Sequence, residues 1–211
     1  MTASTKTTQT VPGAVAAGLP LALLESVRAH DRPDEILEDE DLTISLPRRL
    51  GLKGVVLSQI QRYEEAHAAN RVVPFADVLN LLHLVLRRPD AEAILREAGQ
   101  RVARFRYERL SRMRARMLHM VPGSLSFVPV RRAARGLMRR IVGDAPVRIT
   151  GKPLVVSVRD PAAARLHPTA CTLYTGALEE LIVLYSGKPR QVVHARCSGR
   201  GDDVCEWSVV A

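Results

Sequence analysis

Apolar residues recur with a helical period over most of the first two thirds of the chain. Val56, Ile60, Tyr63 and His67 follow one another at +4, +3 and +4, the spacing that gathers side chains on one face of a helix. A shorter helix is predicted over Leu21–His30. Phe75–Arg87 is apolar on most sides and stops before Pro89, which predicts a buried helix. Asp90 stands where an N-cap belongs, with Glu92 in the first turn of the helix that follows. That helix carries Ala91, Ile94, Ala98, Val102 and Phe105 on one stripe. The stripe then slips by a residue and resumes as Leu110, Met113, Met117 and Met120, which predicts a kink or the use of a second face. "VPGSLSFVP" interrupts the pattern at Pro122 and Gly123, and Val130–Val142 reads as a further helix.

Alternation of period two appears briefly at Leu42, Ile44 and Leu46, a strand stopped by Pro47, and dominates after Val142. "PVRITGKPLVVSVRD" reads as two strands meeting at Gly151-Lys152-Pro153. Cys171–Tyr185 returns to the helical period, with Cys171, Tyr174, Leu178, Ile182 and Tyr185 on one stripe and Gly187 as its stop. "RQVVHARC" and "VCEWSVV" flank a Gly/Asp-rich turn as a hairpin. The last third is β-β-α-β-β behind a mainly helical first part. The predicted fold class is α+β, a four-stranded antiparallel sheet packed by helices. Three regions follow: a tail with an acidic linker over 1–41, a helical region over 42–89, and a domain over 90–211. Met1–Thr10 is polar and of low complexity, the composition of a disordered tail.

Composition changes this picture little. The chain of 211 residues is 46% hydrophobic and 25% charged, as a globular domain is, and its 4% aromatic content leaves the core to Leu, Val, Ala and Met. No apolar run reaches the roughly 18 residues of a membrane-spanning helix. Val11–Leu24 is broken by two prolines and has neither the basic start nor the cleavage site of a signal peptide, so a cytoplasmic protein is expected.

Charge changes it more. The net charge is +9 and the pI about 10.2, in the range that flags nucleic-acid binding. Asp31–Asp41 holds seven acids and one base, whereas Arg101–Arg140 holds twelve arginines and one acid, Glu108. Arg109, Arg112 and Arg116 share one helical face, and Arg131, Arg132 and Arg135 begin a second basic cluster. Such a stretch is either a solvated face, partly neutralised by the acidic linker, or a surface for an anionic partner, nucleic acid or acidic protein. The aromatics that nucleic-acid binders interleave with their bases are limited to Phe105 and Tyr107 nearby.

The candidate chemistry is at Cys171, His194, Cys197 and Cys205. All three cysteines of the chain and one histidine fall within 35 residues. An odd cysteine count argues against a disulfide framework. Three thiolates and an imidazole match a closed structural zinc site. One geometric obstacle stands: a regular strand points residues 194 and 197 to opposite faces, so a bulge, or Cys197 already in the turn, is required. The alternative is three buried cysteines acting as small hydrophobes beside an exposed histidine.

"HPTACTLYTGALEELIVLYSGKPRQVVHARCSGRGDDVCEWSVV" resembles the C-terminal half of a 4-vinyl reductase domain, through Cys171, Gly176, Gly187 and the "CSGRGDDVCEW" ending. "DAEAILREAGQRVARF" is similar to that domain's opening helix, so the resemblance spans 90–211. It implies a fold like that of TRAPP-type vesicle-tethering subunits. In phenol-sensing members a zinc is held by Cys, Glu, Cys and Cys, which correspond to Cys171, His194, Cys197 and Cys205 here, with histidine in place of glutamate. It also implies a small hydrophobic ligand, because relatives bind phenols or are linked to bacteriochlorophyll synthesis.

Met113, Met117, His119, Met120 and Tyr174 are the candidate ligand-binding residues, and an apolar pocket is expected between the Arg101–Met120 helix and the first two strands of the sheet. Phenol itself fits poorly, since the chain's one tryptophan, Trp207, is in the terminal strand. The expected protein is therefore a sensor or carrier of a tetrapyrrole or aromatic ligand, working as a homodimer, with a basic scaffold or an accessory of bacteriochlorophyll 4-vinyl reduction as alternatives. No GxGxxG follows a strand and no other flavin or nicotinamide motif is present, which favours a binder over an enzyme.

Overall fold

The computed structural model describes residues 13–31, 54–110, 127–151 and 153–210. The strand expected at Leu42–Leu46 lies outside them. So does 111–126, with Arg112, Met113, Arg116, Met117, His119 and Met120, and so does the acidic linker after Asp31.

Seven α-helices and six strands are formed among the described residues. β1 (Ala14–Ala16) leads into α1 (Gly18–His30); α2 (Gly54–Ala68) is followed by β2 (Val72–Pro74), α3 (Phe75–Val85), α4 (Ala91–Glu108) and α5 (Phe127–Ile141). Next come β3 (Val147–Thr150), β4 (Val155–Val158), the short α6 (Ala162–Leu166), α7 (Thr172–Ser186), β5 (Val192–Arg196) and β6 (Cys205–Val209). β1 and β2 form a separate antiparallel pair, and the main sheet is antiparallel in the order β3-β4-β6-β5. The α+β class and the four-stranded sheet are as the alternation of the sequence requires.

Each helix buries the stripe its sequence writes. On α2, Ile60 and Tyr63 are buried; on α5, Val130, Ala133, Ala134, Leu137, Met138 and Ile141 are buried while Arg131, Arg132, Arg135 and Arg139 face outward. The helix α3 is a correction. Phe75, Val78, Leu82 and Val85 are buried, yet Leu84 is 59% exposed, so one face rather than the whole helix is covered. A second correction concerns Asp90. It occupies the N-cap position of α4 without capping it, because its two carboxylate oxygens accept from Arg88 Nε and Nη2 at 2.8 and 2.9 Å. A third concerns the phase slip after Phe105. The helix α4 ends at Glu108, at the slip, and the stripe expected to resume as Met113, Met117 and Met120 lies outside the described residues.

The helices α4 and α7 are the tightest pair. A Cβ on Gly99 would strike the Leu173 carbonyl, and one on Gly176 would strike the Arg96 carbonyl, so each helix meets the other's backbone at a glycine. Arg96–Glu179 (2.6 Å) and Arg104–Glu180 (2.8 Å) border the seam. The buried side of the sheet carries a row across all four strands, Ile149, Val156, Trp207 and His194 in register, and a second row of Val158 and Cys205. One cluster of buried side chains runs from Val15 through Ile94 and Leu178 to Trp207.

Candidate metal centre

The four candidate ligands come from three pieces of chain. Cys171 ends the single 3-10 turn that leads into α7, Cys197 follows β5 directly, and Cys205 opens β6. The obstacle at His194 is removed by a bulge. His194 pairs with Trp207 but Arg196 pairs with Glu206, so Ala195 is an extra residue and side chains three apart turn to the same face. Beyond β5 the chain is held by Cys197 itself. Its N–H donates to Asp202 Oδ2 at 2.7 Å, and its carbonyl accepts from the N–H groups of Arg200 and Asp202 at 2.8 and 3.2 Å.

The three sulfurs and a ring nitrogen of His194 lie within 4.8 Å of one another. Cys171 Sγ is 3.9 Å from Cys197 Sγ and 3.7 Å from Cys205 Sγ. Ligands about 2.3 Å from a common tetrahedral centre are spaced by about 3.8 Å. A disulfide is about 2.04 Å. The sulfurs thus have the separation of thiolates around one ion. All three cysteines are fully buried, and His194 Nε2 is buried with no hydrogen-bond partner among the described residues. A buried imidazole nitrogen left unpaired is costly, and a cation among the sulfurs is the partner this donor set accepts. Cys171, His194, Cys197 and Cys205 are compatible with a structural metal site.

The cluster's electrostatics point the same way. Donation by the Cys171 thiol, aided by the His194 ring and then by Ser198, holds the Cys205 thiol well below its ordinary value and against the effect of burial. Cys171 is pushed up in return, first by that bond and then by burial. Without a cation the sulfurs must share protons; a metal replaces those protons.

A supporting layer surrounds the ligands. The His194 ring stacks on Trp207 with centroids 4.7 Å apart and planes 10° apart. Trp207 Nε1 donates to Thr175 Oγ1 at 3.0 Å, and the Thr175 hydroxyl donates to the Cys171 carbonyl at 3.3 Å. Ser198 approaches Cys205 Sγ with its N–H at 3.3 Å and its hydroxyl at 3.2 Å. Trp207 and Thr175 were not singled out from the sequence. The signal existed for Trp207, which sits two residues from Cys205 and so on the same strand face.

Tyr174 is fully buried, edge-on to Trp207 at 5.5 Å, and burial pushes its hydroxyl far above the ordinary value. It belongs to the packing behind the cysteines. The pocket expected between the Arg101–Met120 helix and the sheet falls partly on 111–120, outside the described residues. Ile149, Leu154, Val156 and Val158 are buried, and α5 lies against β3. A cleft of about 470 Å³ opens among the helices, where Gly18, His67, Val102, Arg106, Ile141 and Tyr185 meet, and Tyr174 is not on it. Of the basic residues, Arg131, Arg132 and Arg135 stand exposed along α5, whereas Arg109 turns into the cleft. The described arginines of 101–140 therefore divide among carboxylate partners (Arg101, Arg104), the cleft (Arg106, Arg109, Arg140) and the outward face of α5, which the sequence run alone does not show. No helix among the described residues is long and apolar enough to cross a membrane.

Comparison of the chain with protein-family models, with curated proteins and with solved structures finds no match.

Proposed function

We propose that the chain is a zinc-stapled small-molecule-binding protein of the 4-vinyl reductase domain type, a sensor or carrier of a hydrophobic ligand. The observation that carries this reading is the tetrahedral spacing of Cys171, Cys197 and Cys205 beside the unpartnered His194 Nε2. Three thiolates and an imidazole in a tetrahedron select zinc over the metals that prefer oxygen ligands or planar geometry. With all four positions taken by protein, the ion has none left for a reacting water, so its role is to tie α7 to the β5–β6 hairpin. The small-molecule part is supported by the cleft, whose volume falls in the roughly 300–1,000 Å³ range of ligand pockets. The resemblance supplies the ligand class, aromatic or tetrapyrrole.

Metal analysis of the purified chain is expected to return one zinc per polypeptide, with the three thiols unreactive until a chelator is added. A thermal-shift screen of aromatic and porphyrin compounds is expected to raise Tm for at least one, since a ligand at a hundredfold excess over Kd stabilises the folded state by about 2.7 kcal/mol. Absence of zinc with all thiols freely titratable sinks the staple. A metal-bound chain that no compound stabilises leaves the scaffold alternative, for which the exposed Arg131, Arg132, Arg135 and Arg139 face speaks.

A further inference from the structure

The cleft among the helices has a chemistry of its own. Its described lining includes four arginines, Arg71, Arg106, Arg109 and Arg140, and no acidic residue. Elsewhere on α4 arginines are matched to carboxylates: Arg96 to Glu179, Arg101 to Glu97 and Glu25, and Arg104 to Glu180. Arg106 and Arg109, two and five residues beyond Arg104, have no carboxylate partner among the described residues.

What holds these cations is neutral. Arg109 donates to Asn70 Oδ1 and to the His67 carbonyl, and Arg140 donates to the same Asn70 oxygen at 3.1 Å. One amide oxygen thus bridges two guanidinium groups. Arg106 lies against Gly136, where an added Cβ would meet its guanidinium and push it aside, and its Nε is buried without a hydrogen-bond partner among the described residues. Burial pushes Arg106 below its ordinary value and the nearby Arg140 charge adds to this, while Tyr185 opposes it. His67 is pushed down by burial and by Arg109, which favours its neutral ring. A cation half-buried among other cations with no counter-charge is unfavourable as it stands. The rest of the lining is largely apolar, with Phe105, Leu110, Leu137, Ile141 and Tyr185 among it. Ala17 and Gly18 at the start of α1 also border the cleft, and that helix has neither a capping side chain nor an acid in its first turn.

We propose that this cleft binds an organic anion, a molecule with an apolar body and one carboxylate or phosphate group, which Arg106, Arg109 and Arg140 grip while the apolar wall takes the body. Planar guanidinium groups match both oxyanions in two-point hydrogen bonds. The inference rests on the small-molecule reading above and names the class of ligand.

The test uses the full, metal-loaded chain. Binding of decanoate, 2-naphthoate, hexyl phosphate and inorganic phosphate is measured by calorimetry and thermal shift, beside the neutral decanamide and 2-naphthamide. An organic anion is expected to bind and raise Tm where its neutral counterpart does not; the preference between carboxylate and phosphate identifies the head group. Arg106→Gln and Arg140→Gln are each expected to weaken that binding by at least about tenfold, the loss of a hydrogen bond to a charged group. Arg131→Gln, on the outward face of α5, leaves it unchanged. Arg106→Met is expected to raise the ligand-free Tm while abolishing the ligand-induced shift, a combination that an arginine kept for structure cannot give. Equal binding of charged and neutral probes, unchanged affinity in Arg106→Gln, or inorganic phosphate binding as tightly as the organic anions overturns the inference and leaves the small-molecule reading standing. If no probe of either kind binds, the inference falls, and the small-molecule reading falls with it only when the aromatic and porphyrin screen is blank as well.

Discussion

His194 shows how much a single side chain does at the metal centre. Its ring is fixed by Trp207 on one face, a ring nitrogen lies within 4.8 Å of the three sulfurs, and its Nε2 is buried with no hydrogen-bond partner among the described residues. Stacking sets the ring plane before any ion arrives, so the nitrogen need not be ordered at the moment of binding. His194→Ala removes the fourth ligand and opens space above Trp207; zinc affinity measured by competition with a chromogenic chelator should fall. His194→Glu should keep the metal, because a carboxylate is also an acceptable zinc ligand. Equal affinity in the alanine variant and the parent would show that the ion is held by sulfur alone. The sequence revealed the four ligands through residue type and proximity along the chain. It did not reveal the stack, or Thr175 beneath it, because those depend on β6 lying over α7.

At the scale of elements, the seam between α4 and α7 decides where Cys171 stands. The helix α7 is preceded directly by that cysteine and stopped by Gly187 at φ 69°. It cannot move away from α4 without losing the crossing at Gly99 and Gly176. Gly176→Ala places a methyl group against the Arg96 carbonyl. Forcing an extra methyl into such a contact costs about 1–3 kcal/mol, or roughly 2–12 °C in Tm for a chain of this size. A thermal melt checks this, and an unchanged Tm would mean that the helices spread freely. Both helices were legible from their stripes, Ala91-Ile94-Ala98-Val102 and Cys171-Tyr174-Leu178-Ile182, since a buried face must repeat at the helical period. The closeness of the crossing was not, for a glycine in a helix looks the same whether it touches a neighbour or not. Asp90 misled for a related reason: its side chain had a better partner in Arg88 two residues away.

Across the whole molecule, the metal centre and the arginine-lined cleft occupy different ends of the structure's logic. The centre joins α7 to β5 and β6, and its ligands lie near one another in the chain. The cleft is assembled from the start of α1, the turn before β2, the end of α4, the end of α5 and Tyr185, which no local pattern connects. That is why the first was visible in the sequence and the second was not. Yet Val102, Phe105, Arg106 and Arg109 fall at helical spacing, so one edge of the cleft was written in α4. If the ion is the staple of the hairpin, chelation should loosen the chain unevenly, because structural zinc in small units contributes roughly 10–16 kcal/mol of apparent binding energy. Amide exchange should quicken in β5, β6 and the first turn of α7. It should change little around Ile94 and Leu95, which are fully buried among the helices. Uniform loss of protection would assign the metal a global role instead.

The bulge at Ala195 has a consequence for chain length. With the extra residue pushed out of the ladder, His194 and Cys197 stand as next-but-one neighbours on a regular strand do. A chain with a single residue between histidine and cysteine would therefore build the same tetrahedron on a straight β5, whereas one residue more than here would have to find room in a second irregularity. The segment can shorten without changing what it holds, and a spacing of two or of three between these ligands describes one and the same site.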